Sequence, residues 1–250
     1  MNQGDLIPLV LLLLLFFLLG AGSFVIFFVM RLSRQQRQMF ESGIELRRFY
    51  EHSYRRANRH GRPLRWLAIR SRSVPAVQAA LGLRNPKPWS WSEGISGERA
   101  IFVAPPVNGW ILVVGNGVPD PSDDVDACFR LLLELSRKLG HAQLFHADPV
   151  LHYHAWARAE AGRILRGYAW AGTTLWNQGA KTEAETRLGI KCFAYGEECP
   201  PVRFGMTDVL AANEEKVSLL AAYWSLDPAE ICEKTLGRSL GVAGKSGVKF

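Results

Sequence analysis

The sequence predicts an α+β fold: an N-terminal single transmembrane helix, an Arg-rich neck, then an antiparallel sheet with packed helices. Three observations predict it. Residues 6–30, "LIPLVLLLLLFFLLGAGSFVIFFVM", carry no charge. Residues 31–72 hold twelve Arg and three Glu and are therefore +9, more than the +7 of the whole chain. From residue 99 onward, short β-branched runs in hairpin order alternate with amphipathic helical runs, the pattern of an antiparallel sheet with helices laid on it.

The first element is the apolar run. Twenty-five residues of helix rise about 37 Å, enough to cross a hydrocarbon core of about 30 Å with some tilt. A cleaved signal peptide is the rival reading, and "GAGS" at 20–23 could pass for its cleavage site. However, "MNQGD" lacks the basic residues such a peptide carries, and the apolar run continues past Ser23. We therefore expect residues 1–30 to be a short flank and an uncleaved anchor in the lipid bilayer. The basic flank follows the anchor, which places the N-terminus outside and the C-terminal domain in the cytoplasm of an inner-membrane protein. The four cysteines, 128, 192, 199 and 232, show no CxxC spacing and suit a reducing compartment.

The neck, 31–72, is expected to lie at the membrane surface, with Arg31, Arg34 and Arg37 contacting anionic lipid headgroups. "RRFYEHSYRRANRHGR" mixes Arg with Phe and Tyr, so stacking on nucleic acid is a second reading and a protein partner a third. A basic run after an anchor has a topological cause of its own, which favours the membrane over nucleic acid.

Residues 73–98 hold a short helix, "SVPAVQAALGL", and then a Pro/Ser/Gly-rich stretch that reads as a linker. The globular domain is placed at 99–240. "RAIFVA" and "WILVVG" form a hairpin. A helix follows over about 123–139, capped by Ser122 or Asp123, with acids at its start, Arg137 and Lys138 at its end and Gly140 beyond. "AQLFHA" is the next strand. "LHYHAWARAEAGRILRGYAWAG" is the clearest hairpin: with Ala161-Gly162 as turn residues, Glu160 pairs with Arg163, Trp156 with Gly167 and His154 with Ala169. "TEAETRLG" opens with Thr182 and Glu185 in capping-box spacing. A last amphipathic helix runs from about 207 to 224, with Val217, Leu220, Ala221 and Trp224 inward, and Asp227-Pro228 breaks it. Residues 241–250 are expected to be a flexible tail.

Two constellations could carry chemistry. His152 and His154 alternate along one strand and could hold a metal if His146 or Asp148 joined them, which would make the chain a membrane-tethered metal-dependent hydrolase. A packed hairpin face explains the same spacing without a metal, and no HExxH or paired Cys/His motif supports one. Trp156, Arg158, Tyr168, Trp170 and Trp176 could form an aromatic ledge for a protein partner, or fill the core. "VVGNGVPD" sits where a dinucleotide loop would, but it lacks the third glycine, and acids 120, 123, 124 and 126 would repel a phosphate. There is no GxSxG, kinase or P-loop motif, and no cofactor is expected.

"FVAPPVNGWILVVGNGVPD", "HYHAWARAEAGRILRGYAWAGTTLWNQG" and "YWSLDP" resemble recurring stretches of uncharacterised bacterial membrane-anchored α+β proteins. The hairpin followed by a T-x-x-E helix is similar in style to immunity-type binding domains. The resemblance covers about residues 98–228. It implies a compact domain that binds a protein partner and transfers no catalytic residue.

Overall fold

The computed structural model describes residues 63–96, 101–149, 151–197, 209–232, 234–237 and 239–247, with the side chains of 209–212 left aside. The anchor, and Arg31, Arg34 and Arg37, lie outside the described residues. Among the described residues no helix is long and apolar enough to cross a membrane.

The architecture is α+β. Among the described residues nine strands form one sheet, antiparallel throughout: β1 (Arg65–Arg70), β2 (Leu83–Trp89), β3 (Ile101–Val103), β4 (Trp110–Val114), β5 (His141–Asp148), β6 (Tyr153–Glu160), β7 (Arg163–Trp170), β8 (Thr174–Gln178) and β9 (Gly241–Ser246). Their spatial order is β2-β9-β3-β4-β1-β5-β6-β7-β8. The helices are α1 (Val74–Ala80), α2 (Trp91–Ser96), α3 (Val125–Leu139), α4 (Glu183–Arg187) and α5 (Val209–Trp224), with a 3-10 turn at Pro228–Glu230.

Both faces of the sheet are covered, so its central strands are apolar on both sides. On one face Trp66, Phe102, Leu112, Phe145, Trp156, Tyr168 and Trp170 pack beneath α2, α5 and the segment around Ile190–Phe193. On the other, Leu67, Ile69, Ile111, Val113, Leu144 and Ala157 pack beneath α1 and α3, which contribute Val77, Leu131, Leu132 and Leu135.

Three expectations from the sequence give way here. "RWLAIR", assigned to the neck, is β1, the fifth of nine strands; Trp66, Leu67, Ala68 and Ile69 are all buried. The surrounding arginines mask a strand whose four central residues are apolar. The stretch read as a linker contains β2 and α2. β2 is an edge strand, where Pro86 and Pro88 cost no ladder hydrogen bond and discourage further pairing. The stretch read as a tail contributes β9, which lies between β2 and β3. Gly241 is what lets it in: a Cβ there would stand 2.4 Å from the Phe102 ring.

Other elements match their sequence signals. α1 starts at Ser73, whose hydroxyl accepts from the Ala76 N–H, with Pro75 in its first turn. α3 is capped by Asp124, whose Oδ1 accepts from the Ala127 N–H at 2.8 Å. Ser122 and Asp123, the expected caps, are not used; the Ser122 hydroxyl donates to Asp120 Oδ1 instead. α4 has the expected capping box between Thr182 and Glu185.

Candidate functional site

The β6–β7 hairpin decides where the candidate residues go. Its turn is as expected: Ala161 and Gly162 both have positive φ, +47° and +74°, the type I′ geometry that follows the right-handed twist of a hairpin. Glu160 pairs with Arg163 and Ala159 with Ile164, but Arg158 then pairs with Arg166, leaving Leu165 as the extra residue of a β-bulge. The register beyond it is one residue away from the regular one. Trp156 faces Tyr168, not Gly167, and His154 faces Trp170, not Ala169. Because side chains alternate, the one-residue shift turns Arg166, Tyr168 and Trp170 onto the face that carries His154 and Trp156.

The two histidines are engaged separately, each with a residue of α5. His154 is 1% exposed and stacks between Trp156 (5.7 Å) and Trp170 (5.6 Å), each ring within 11° of parallel. Its Nε2 meets the Asn213 side-chain amide of α5 at 3.4 Å, and burial, with the charges of His146 and His152 adding to it, pushes its pKa down to about 3. His152 lies outside the strand, in the turn before β6, with φ +56°, and its Nδ1 meets Glu214 Oε1 at 3.1 Å. His146 sits on the opposite face, where its Nδ1 is 3.3 Å from Asp120 Oδ1. Among the described residues no three His, Cys, Asp or Glu side chains converge as metal ligands.

Asp120 is a structural hub. Burial alone would raise its pKa, but the hydrogen bond and charge of His146, and then Arg65, outweigh it and hold the carboxyl far below the usual range. Asp120 thus ties β1, β5 and the loop before α3 together, while Asp124 caps α3.

Four of the five ledge candidates are core. Trp156, Tyr168, Trp170 and Trp176 are buried, the last on the opposite face against Phe129 and so close over Gly167 that a Cβ there would stand 2.5 Å from its ring. Arg158 is half-buried, with its guanidinium 5.5 Å from the Trp224 ring centroid. A ledge needs surface that these indoles and the phenol do not have; burying their area is the larger gain.

What the sequence reading missed is the polar network within that core. Glu185 closes the capping box by accepting at Oε2 from the Thr182 N–H (2.7 Å) and hydroxyl (2.8 Å). Its Oε1 accepts from Trp156 Nε1 at 2.8 Å and from Arg166 Nε at 2.9 Å. Arg166 Nη1 donates to Asn177 Oδ1 and to the Gly167 and Gln178 carbonyls, and Nη2 to Cys192 Sγ at 3.2 Å. Burial lifts the Cys192 thiol to about 11 against the pull of Arg166, which favours the protonated thiol at neutral pH. With every strong hydrogen-bonding group of Glu185 engaged and no exposure, this network fixes α4 and β7 to β6. Its signal was Arg166 itself, an arginine within a strand run, legible only once the bulge is known.

The other missed feature is on the surface. α5 buries Val217, Leu220 and Ala221 against the sheet, as expected, yet Leu219 is 51% exposed and Tyr223 59% exposed on its outer side. Ala222 and Glu215 are exposed with them. A surface helix normally carries its polar residues on that side. The two apolar residues four apart were legible in "SLLAAYW".

Fold and surface together define a class: a three-layer α+β domain with a tied, solvent-excluded polar core and an apolar outer helix face. No family model, no curated protein and no solved structure matches the chain.

Proposed function

We propose that this chain is a membrane-anchored interaction module: a cytoplasmic α+β domain, held at the inner membrane by one N-terminal helix, that acts by binding protein. The anchor and orientation are supported by the uncharged run 6–30 and the +9 neck behind it. Lipid headgroups are the proposed contact of Arg31, Arg34 and Arg37. Confinement to the membrane raises the local concentration of any membrane-bound partner.

The observation that carries binding is the outer face of α5. Leu219 and Tyr223 leave an apolar ridge in water on a helix whose other side is already satisfied by the sheet. Contiguous exposed apolar surface of this kind marks interaction sites. Strand addition is the less favourable mode, because both sheet edges are guarded. β2 carries Pro86 and Pro88, and on β8 the Asn177 N–H donates to the Tyr195 hydroxyl at 2.8 Å. The metal-dependent hydrolase reading has no specific geometric observation in its favour, since His152 and His154 engage α5 through Glu214 and Asn213.

The test is a photo-reactive amino acid placed at Leu219 or, as a control, at the exposed hairpin position Glu160 in the full chain in its native membrane. A discrete protein adduct from position 219 and none from 160 supports the reading; no adduct from 219 removes it. Topology is tested separately by a reporter fused after Phe250, which should be active only on the cytoplasmic side.

A further inference from the structure

We propose that Arg70, His141 and Arg158 form an oxyanion site at the rim of the sheet, selective for a phosphate that keeps an O–H, either free or as the terminal phosphate of a lipid headgroup. The proposal is independent of the outer side of α5. On this face the register stacks rows across β1, β5 and β6: Trp66, Phe145 and Trp156 in the core, then Ala68, Gln143 and Arg158, and at the rim Arg70, His141 and Glu160. Arg70 is exposed and His141 and Arg158 are half-buried, so the cluster opens to solvent. What singles Arg158 out is its lack of a counter-charge. Two other inward arginines are neutralised, Arg65 by Asp120 and Arg166 by Glu185. Arg158 has the π face of Trp224, 5.5 Å from its guanidinium, and neither it nor Arg70 has an ion-pair partner among the described residues. Half-burial makes an unpaired cation costly and an incoming anion correspondingly favourable. Glu160 is the carboxylate that faces His141, against two guanidinium groups.

The neighbouring groups suit the same ligand. Gln143 is fully buried, and its amide N–H groups go to the Trp224 carbonyl at 3.2 Å and to His141 Nε2 at 3.1 Å. His141 Nε2 is thereby an acceptor, which places the imidazole proton on Nδ1 and makes that N–H a donor. Burial first, then Arg158 and Arg70 against the pull of Glu160, hold the His141 pKa below its ordinary value, so the ring keeps this neutral form at neutral pH. Trp110 braces the ring edge-on at 5.2 Å. Inside the rim two buried atoms of paired residues, Gln143 Oε1 and Arg158 Nε, have no hydrogen-bond partner among the described residues. One needs a donor and the other an acceptor. An oxyanion bearing one O–H supplies both; hydrogen phosphate does so, and sulfate and carboxylates do not. No hydrogen bond from a described residue holds the Arg158 guanidinium over Trp224, so it can pivot onto the anion and open the way to both atoms.

The experiment titrates inorganic phosphate into the full chain held in nanodiscs of phosphatidylcholine, in a buffer free of other oxyanions, and follows the heat of binding. Phosphate should saturate at one per chain with Kd below about 1 mM, and sulfate should bind about tenfold more weakly. Arg158→Gln should weaken phosphate binding about tenfold or more, the loss expected for a charged hydrogen-bonding partner. Arg70→Gln should weaken it severalfold, and Arg84→Gln, at an exposed arginine of the edge strand β2, should leave it unchanged. Arg70 and Arg84 are both exposed, so these two variants should keep the parent's circular dichroism and carry the test even if Arg158→Gln does not fold. The source is read by adding to the discs either phosphatidic acid, a phosphate monoester, or phosphatidylglycerol, an anionic diester. Loss of phosphate binding with phosphatidic acid alone assigns the site to a headgroup, and unchanged binding in all discs assigns it to soluble phosphate. No saturable heat up to about 10 mM phosphate, equal losses in Arg70→Gln and Arg84→Gln, or sulfate binding as tightly as phosphate overturns the proposal.

Discussion

At His154 the chain buries an imidazole among three aromatic rings, and among the described residues its Nδ1 has no hydrogen-bond partner. Burying a polar atom unpaired costs about 1–3 kcal/mol, so the stack is built against a penalty. It also builds in acid sensitivity. The imidazole titrates near 6.5 when unfolded and, through burial first and neighbouring histidines second, at about 3 when folded. The depressed folded value means that its contribution is fully present above pH 6.5 and is lost as pH falls from 6.5 toward 3. At pH 5 the loss amounts to about 2 kcal/mol. Replacing His154 with Phe keeps the stack and removes the titration. We expect His154→Phe to unfold at the same or higher denaturant concentration at pH 7.5. Its midpoint should then fall less than the parent's between pH 7.5 and 5. An equal fall in both proteins would show that other groups govern the acid limb.

The elements show what was legible and what was not. The hairpin turn, the α4 cap and the end of α3 could be read directly, because Ala161-Gly162, Thr182 with Glu185, and Gly140 act on the backbone within a few residues; the α3 cap was missed by one residue, since Ser122, Asp123 and Asp124 offer the same chemistry side by side. β1 and β9 could not. The buried run of β1 is only four residues long and is flanked by arginines, two of the three buried residues of β9 are glycines, and only partners far along the chain make them strands. The hairpin register failed for a related reason: nothing local to Leu165 announces a bulge. It is set by the gain from placing Tyr168, Trp170 and Arg166 on the face of Trp156 and Glu185. This has a testable consequence. Leu165 is the supernumerary residue and is 40% exposed, so deleting it leaves a regular hairpin with Arg158 still opposite Arg166 and Trp156 still opposite Tyr168. We expect the Leu165 deletion to fold with a native near-ultraviolet circular dichroism spectrum. Deleting Ala157 from the strand without an extra residue turns Trp156 and His154 to the wrong face and should abolish that spectrum. If both deletions unfold the chain, the pairing depends on the bulge's twist and not on the register alone.

Across the whole molecule, the order β2-β9-β3 means that the sheet closes with its last-made strand. β2 hydrogen-bonds β9 and not β3, so residues 241–246 are the bridge by which the edge strand and Trp89 join the core. Long-range pairing of this kind carries its loop-closure cost before it yields contacts, and it leaves the edge of β3 open until β9 has been made. A flexible tail could be removed without effect. Here, truncation after Leu240 exposes the Phe102 ring that β9 covers and strands β2 with no partner in the sheet. We therefore expect the truncated chain to lose cooperative unfolding or to aggregate. Gly241→Val in the full chain should destabilise through the same contact, since its Cβ collides with Phe102 and the Val103 carbonyl. A truncated chain that unfolds as the parent does would place residues 241–250 back outside the fold and end the domain at residue 240.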